Sequence, residues 1–95
     1  MPKLLFIYKP NSGKGNIRKE VSLILEKLSL KGYQITVFPT AKSGDAAEMT
    51  KNEAHNYDLL VCAGGDGTFN EVARGLMESG KLGNKIPVIG YIPVG

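Results

Sequence analysis

Four short apolar runs limit what this chain can become. LLFIY (4–8), YQITVF (33–38), DLLVCA (58–63) and PVIGYI (87–92) are separated by stretches whose apolar residues recur at helical spacing. LLFIY is continuously apolar rather than alternating, the pattern of a strand buried on both faces of a parallel sheet. Ile17, Val21, Ile24, Leu25 and Leu28 form the stripe of a first helix, which should end near Gly32 in a left-handed cap. Ser43-Gly44-Asp45 reads as the start of a second, with Ala46, Ala47, Thr50 and Ala54 on a small inner face. Thr68-Phe69-Asn70-Glu71 has the capping-box pattern T-x-x-E. A third helix is therefore expected from Thr68, with Phe69, Val72, Ala73 and Leu76 as its stripe and a stop near Gly80. A GN turn precedes the last strand.

The order β-α-β-α-β-α-β predicts an α/β fold: a three-layer, Rossmann-like open parallel sheet with right-handed crossovers and helices on both faces. Ligands of such sheets bind outside the carboxyl ends of the strands. Three loops fall there, 9–15, 39–45 and 64–68. Topology thus points to a site before any motif does.

The loop GGDGT (64–68) carries the strongest chemistry. Gly64, Gly65 and Gly67 lack Cβ atoms, so their amides can come close to a ligand. The helix that follows turns its positive end to the same place, a combination that binds phosphate. Asp66 would repel a bare phosphate. It becomes useful if Mg²⁺ bridges it to the phosphate oxygens, directly or through water, or if it accepts a proton from an attacking hydroxyl. The plainer alternative is a tight turn with Asp66 as a helix cap. KPNSGKG (9–15) offers Ser12, the amides near Gly13 and Gly15, and the charges of Lys9 and Lys14. It matches neither the Walker nor the G-x-G-x-x-G spacing, so by itself it is a turn or a ligand loop with equal right. Thr40 reads most simply as a turn hydroxyl, His55 as surface and Cys62 as a small core residue.

A chain of 95 residues is at most one domain with a thin core. The net charge of +3 suits phosphate ligands or an anionic membrane surface and is too weak to indicate nucleic acid. A single cysteine excludes an internal disulfide and points to a reducing compartment. LLFIY is too short for a signal peptide or a membrane span.

On these residues the chain resembles the N-terminal nucleotide-binding lobe of the diacylglycerol kinase catalytic-domain family, which includes bacterial lipid kinases and sphingosine kinases. GGDGTFNEVARGL (64–76) is similar to the family's GGDGT-x-NE signature. YKPNSGKG resembles the N-P-x-S-G opening, with Lys9 in place of the usual Asn, and IPVG (92–95) resembles the start of the I-P-x-G-T-x-N-D segment. The resemblance implies transfer of the ATP γ-phosphate to a lipid alcohol such as diacylglycerol, with ATP and Mg²⁺ between this lobe (1–95) and a second, β-rich lobe absent from the chain. It implies ATP contacts from Lys9, Pro10, Asn11, Ser12, Gly13 and Thr40, and from Gly65, Asp66, Gly67, Thr68, Phe69, Asn70 and Glu71. Asp66 would act near the metal, with a secondary claim to be catalytic, since the main base of the bacterial enzymes lies in the second lobe. A cytoplasmic protein working at the membrane surface is the implied setting. The isolated 95-residue chain is expected to be inactive and to dimerise or self-associate through uncovered apolar surface.

Two other readings compete. NAD kinases share GGDGT, but the Asn70-Glu71 pair and IPVG favour the lipid kinases. A non-catalytic nucleotide-binding or flavodoxin-like regulatory module is the alternative from another class. A receiver domain would need acids at the end of the first strand, where Lys9-Pro10 stands.

Overall fold

The computed structural model of the chain describes residues 1–10, 17–79 and the backbone of 88–93. Four strands, β1 (Lys3–Tyr8), β2 (Gln34–Pro39), β3 (Leu59–Gly64) and β4 (Val88–Pro93), alternate with three helices, α1 (Ile17–Leu30), α2 (Asp45–Glu53) and α3 (Asp66–Glu78). A short 3-10 turn, Ala54–Asn56, extends α2. The sheet is parallel throughout, in the order β2-β1-β3-β4. The α/β alternation and parallel sheet expected from the apolar runs are present, with strand limits displaced by about one residue, the usual uncertainty of element ends.

Burial explains the order. Leu4, Leu5, Phe6 and Ile7 of β1 are fully buried, and Leu60 to Ala63 of β3 nearly so. Strands so apolar on both faces belong in the middle of a sheet. Edge strand β2 is only half-buried at Ile35 and Phe38 and ends on Pro39, which cannot donate to a ladder. Leu5, Ile7, Leu60 and Cys62 point to one face, where they pack with Ala46, Ala54, Val72 and Leu76 of α2, its extension and α3. Leu4, Phe6, Val61 and Ala63 point to the other, against Ile17 and Val21 of α1. Right-handed crossovers require this division, because the chain moves one way along the sheet through α1 and the opposite way through α2 and α3. Gly32 caps α1 at φ 92°, in the left-handed region. Burial pushes the Cys62 thiol up to about 11, so it stays protonated and packs as a small apolar group.

Two features correct the sequence reading. Helix α3 begins at Asp66, with Gly65 as its N-cap, rather than at Thr68. The Gly65 carbonyl already accepts the amides of Thr68 (3.1 Å) and Phe69 (3.4 Å), so the chain is turning two residues earlier than the T-x-x-E pattern implies. Thr68 is buried inside the first turn, and Glu71 reaches to a different helix. The expected stop near Gly80 and the GN turn lie outside the described residues.

Helices α2 and α3 approach very closely where Gly75 faces α2. A Cβ on Gly75 would lie 2.5 Å from the Ala47 carbonyl oxygen and 2.8 Å from the Thr50 Cβ. Thr50 is fully buried there, and its hydroxyl has no hydrogen-bond partner. Such an orphan hydroxyl costs about 1–3 kcal/mol relative to an apolar group of the same shape. Thr50→Val, nearly isosteric, is expected to raise unfolding stability by about 1 kcal/mol. Denaturant titration measures it; a loss of stability would mean that the hydroxyl finds a partner in solution.

Candidate functional site

The carboxyl ends of β2, β1 and β3 lie side by side and are tied together just beyond the ladder. The Thr40 amide donates to the Tyr8 carbonyl (2.8 Å), and the Lys9 amide to that of Ala63 (3.2 Å). Above them opens a cleft of about 370 Å³. The first loop contributes Lys9 and Pro10, the second Thr40 to Ser43, and the third Gly65, Gly67 and Thr68; Ala46 and Glu71 close it from α2 and α3. It sits where β1 and β3 carry the chain to opposite sides of the sheet, the switch point at which doubly wound folds place ligands. A larger, apolar groove of about 650 Å³ runs along α1 past Val21, Leu25 and Leu30. No described residue of the three loops borders it, so the polar chemistry seen among the described residues belongs to the smaller cleft.

The third loop leaves open space beside its backbone. Among the described residues, a Cβ on Gly65 or Gly67 would meet no atom beyond its own stretch of chain within 4 Å. Gly65 has φ −85° and ψ −175°, open to any residue, so backbone freedom is not its reason for being glycine. Gly64 lies beneath: a Cβ there would come within 2.6 Å of the buried Thr68 hydroxyl, which folds over it. Gly65 offers no side chain to cap α3, and the first amides of a helix have no acceptor within it. A helix start therefore borders an open space lined by Lys9 and Lys42.

The second loop is built differently. Asp45 Oδ2 accepts the amides of Ala41 (2.8 Å) and Lys42 (3.0 Å). These bonds, chiefly that from Ala41, hold the Asp45 carboxyl below its ordinary range. Gly44, at φ 93°, turns the chain into α2. Glu71 Oε1 accepts the amides of Gly44 (3.1 Å) and Ala47 (3.4 Å). Three amides of this loop, and that of Ala47 in the first turn of α2, are thus engaged by the protein's own carboxylates. It can meet a ligand through the Thr40 hydroxyl and the Lys42 ammonium, less so through its backbone.

Of the residues singled out from the sequence, Lys9, Pro10, Thr40, Gly65, Gly67, Thr68 and Glu71 come together around the cleft. Asp66 and Asn70 are exposed and do not line it, Gly64 supports it from below, and Phe69 packs against the core. Asn11, Ser12 and Gly13 lie outside the described residues. Ala41, Lys42, Ser43 and Ala46 also line the cleft and are not among the site residues expected from sequence, although the 39–45 loop is expected at this end of the sheet. Among the described residues no group of three or more His, Cys, Asp or Glu side chains could hold a metal ion.

Residues 3–95 match the sequence profile of the diacylglycerol kinase catalytic domain. The chain belongs to that family. A diacylglycerol kinase of Bacillus subtilis (strain 168) is 40% identical over 96 residues, covering 100% of this chain and 30% of the relative. A diacylglycerol kinase of Staphylococcus aureus (strain MRSA252) is 42% identical over 90 residues, covering 94% of this chain and 27% of the relative. The solved structure of a diacylglycerol kinase from Bacillus anthracis str. Sterne superposes with a TM-score of 0.83 at 28% identity, over 99% of this chain and 31% of that one. The chain therefore spans less than a third of the diacylglycerol kinases it matches. Among the described residues no helix is long and apolar enough to cross a membrane.

Proposed function

We propose that the cleft binds the triphosphate of ATP with Mg²⁺, and that the protein carrying this chain transfers the γ-phosphate to the hydroxyl of a lipid such as diacylglycerol. In this reading residues 1–95 are the nucleotide-binding lobe, and a second lobe binds the lipid at the membrane surface. One observation supports it above others: the open space over Gly65 and Gly67 at the start of α3, flanked by two lysines. The positive end of a helix and ammonium groups suit phosphate oxygens, and the missing Cβ atoms let those oxygens come close. Family membership supplies the reaction class.

The residues fit the metal in a particular way. Without a three-ligand protein cluster among the described residues, the ion would be held largely by phosphate oxygens and water, as Mg²⁺ commonly is. When bound, Mg²⁺ neutralises charge on the transferring phosphoryl group. Exposed Asp66, in the first turn of α3, would hold one of its waters. Lys9 and Lys42 would orient the phosphates, and Thr40 the nucleoside end. Glu71, the carboxylate among the described cleft-lining residues, already accepts two amides. We therefore assign removal of the lipid hydroxyl proton to the second lobe rather than to Glu71, with Asp66 the alternative from this lobe.

Asp66→Asn is expected to reduce the enhancement of ATP affinity by Mg²⁺ about tenfold, the scale of a lost outer-shell metal contact, while the fold persists. Calorimetric titrations of ATP with and without Mg²⁺ give the ratio. An unchanged ratio would return Asp66 to a helix-start or proton-accepting role. A shift in melting temperature with FMN and none with Mg-ATP would instead favour a regulatory module, and shifts with both NAD and Mg-ATP an NAD kinase.

A further inference from the structure

The sequence pattern around Glu71 belongs to a capping box, yet Glu71 does not cap its own helix. One of its oxygens takes the amides of both Gly44 and Ala47, the N-cap and third residues of α2. In a capping box these two donors are served by side chains of the same helix. Here Gly44 has no side chain to offer, and a carboxylate from α3 replaces both partners. Glu71 is half-buried at the cleft wall, and its charge is placed favourably at the positive end of α2. Among the described residues the loop it anchors is also held from within by Asp45, whose carboxylate accepts two amides and whose own amide donates to the Lys42 carbonyl, and by the Thr40–Tyr8 bond at its start.

We propose that Glu71 is a positioning residue: by capping α2 from α3, its carboxylate fixes the 40–44 loop, and with it Thr40 and Lys42, in the shape that receives the nucleotide. This rests on the ATP reading given above. It differs from a direct contact with ATP or Mg²⁺, because the oxygen is committed to two protein amides.

The test compares Glu71→Ala with Glu71→Gln in the intact protein that carries these residues. Glu71→Gln keeps a carbonyl oxygen for the two amides; Glu71→Ala leaves them to water. Glu71→Ala is expected to raise KM for Mg-ATP about tenfold, with kcat changed by no more than about twofold. Amide hydrogen exchange across 41–47 should quicken in the same variant. Glu71→Gln should restore both the low KM and the slow exchange. If Glu71→Gln were as impaired as Glu71→Ala while 41–47 stayed protected, the negative charge would be acting on ligand or metal and the proposal would be overturned. Unchanged exchange in Glu71→Ala would overturn it equally. Should the unsubstituted protein not use ATP at all, the reading of the cleft fails, and the exchange rates still decide whether Glu71 holds the loop.

Discussion

Gly65→Ala is expected to lower phosphoryl transfer about 100-fold, the effect of displacing reacting groups by about an ångström. The melting temperature should not change. The separation follows from geometry. Gly65 has a backbone conformation that alanine adopts freely, and among the described residues an added methyl meets no atom beyond its chain neighbours within 4 Å. Only a ligand lying on the loop would feel it. Initial rates with radiolabelled ATP and mixed lipid micelles, measured beside thermal melts on the intact protein, decide the matter. Near-normal turnover would show that the glycine turn merely connects β3 to α3.

Gly75→Ala should do the reverse and damage the fold. The new methyl would lie 2.5 Å from a backbone oxygen of α2 and 2.8 Å from the Thr50 Cβ, neither of them the far end of a flexible side chain. Overpacking of this kind costs up to about 3 kcal/mol, against a gain of about 1 kcal/mol from alanine's better helix propensity. The net loss of about 2 kcal/mol corresponds to a melting temperature lower by about 8–16 °C in a domain of this size. Thermal melts of the purified variant test it. Unaltered stability would show that α2 and α3 can slide apart.

These two glycines also show what could be read in advance. The β-α alternation was legible because β1 is apolar at successive positions and α1 carries a periodic stripe, signals that burial on defined faces imposes. The place of the cleft was legible because a parallel sheet leaves its strand ends on one side. The inner face of α2 followed from the spacing of Ala46, Ala47, Thr50 and Ala54, all buried. Gly75 was not singled out, although glycine inside a helical stripe is a mark of close packing that could have been used. Glu71 was misassigned for a deeper reason. A local pattern says which donors a carboxylate can reach within its own helix, and carries no information about a second helix start 27 residues away in sequence. The burden of Lys42 was hidden similarly: it lies in a loop without a motif, and only the fold brings it beside Lys9 and Gly65.

The strand order has a consequence for how the molecule is made. β1 is synthesised first, yet it ends between β2 and β3. This order allows β2 to join one free side of β1, β3 the other, and β4 the outer side of β3 as the chain leaves the ribosome. No strand has to be forced between two that are already paired. The most apolar strand is also the one exposed longest, with Leu4 to Ile7 uncovered until α1 and then α2 arrive. Growth outward from the first strand lets each new segment bury part of that surface as it appears, which suits vectorial synthesis and shortens the time during which a sticky edge is open to other chains.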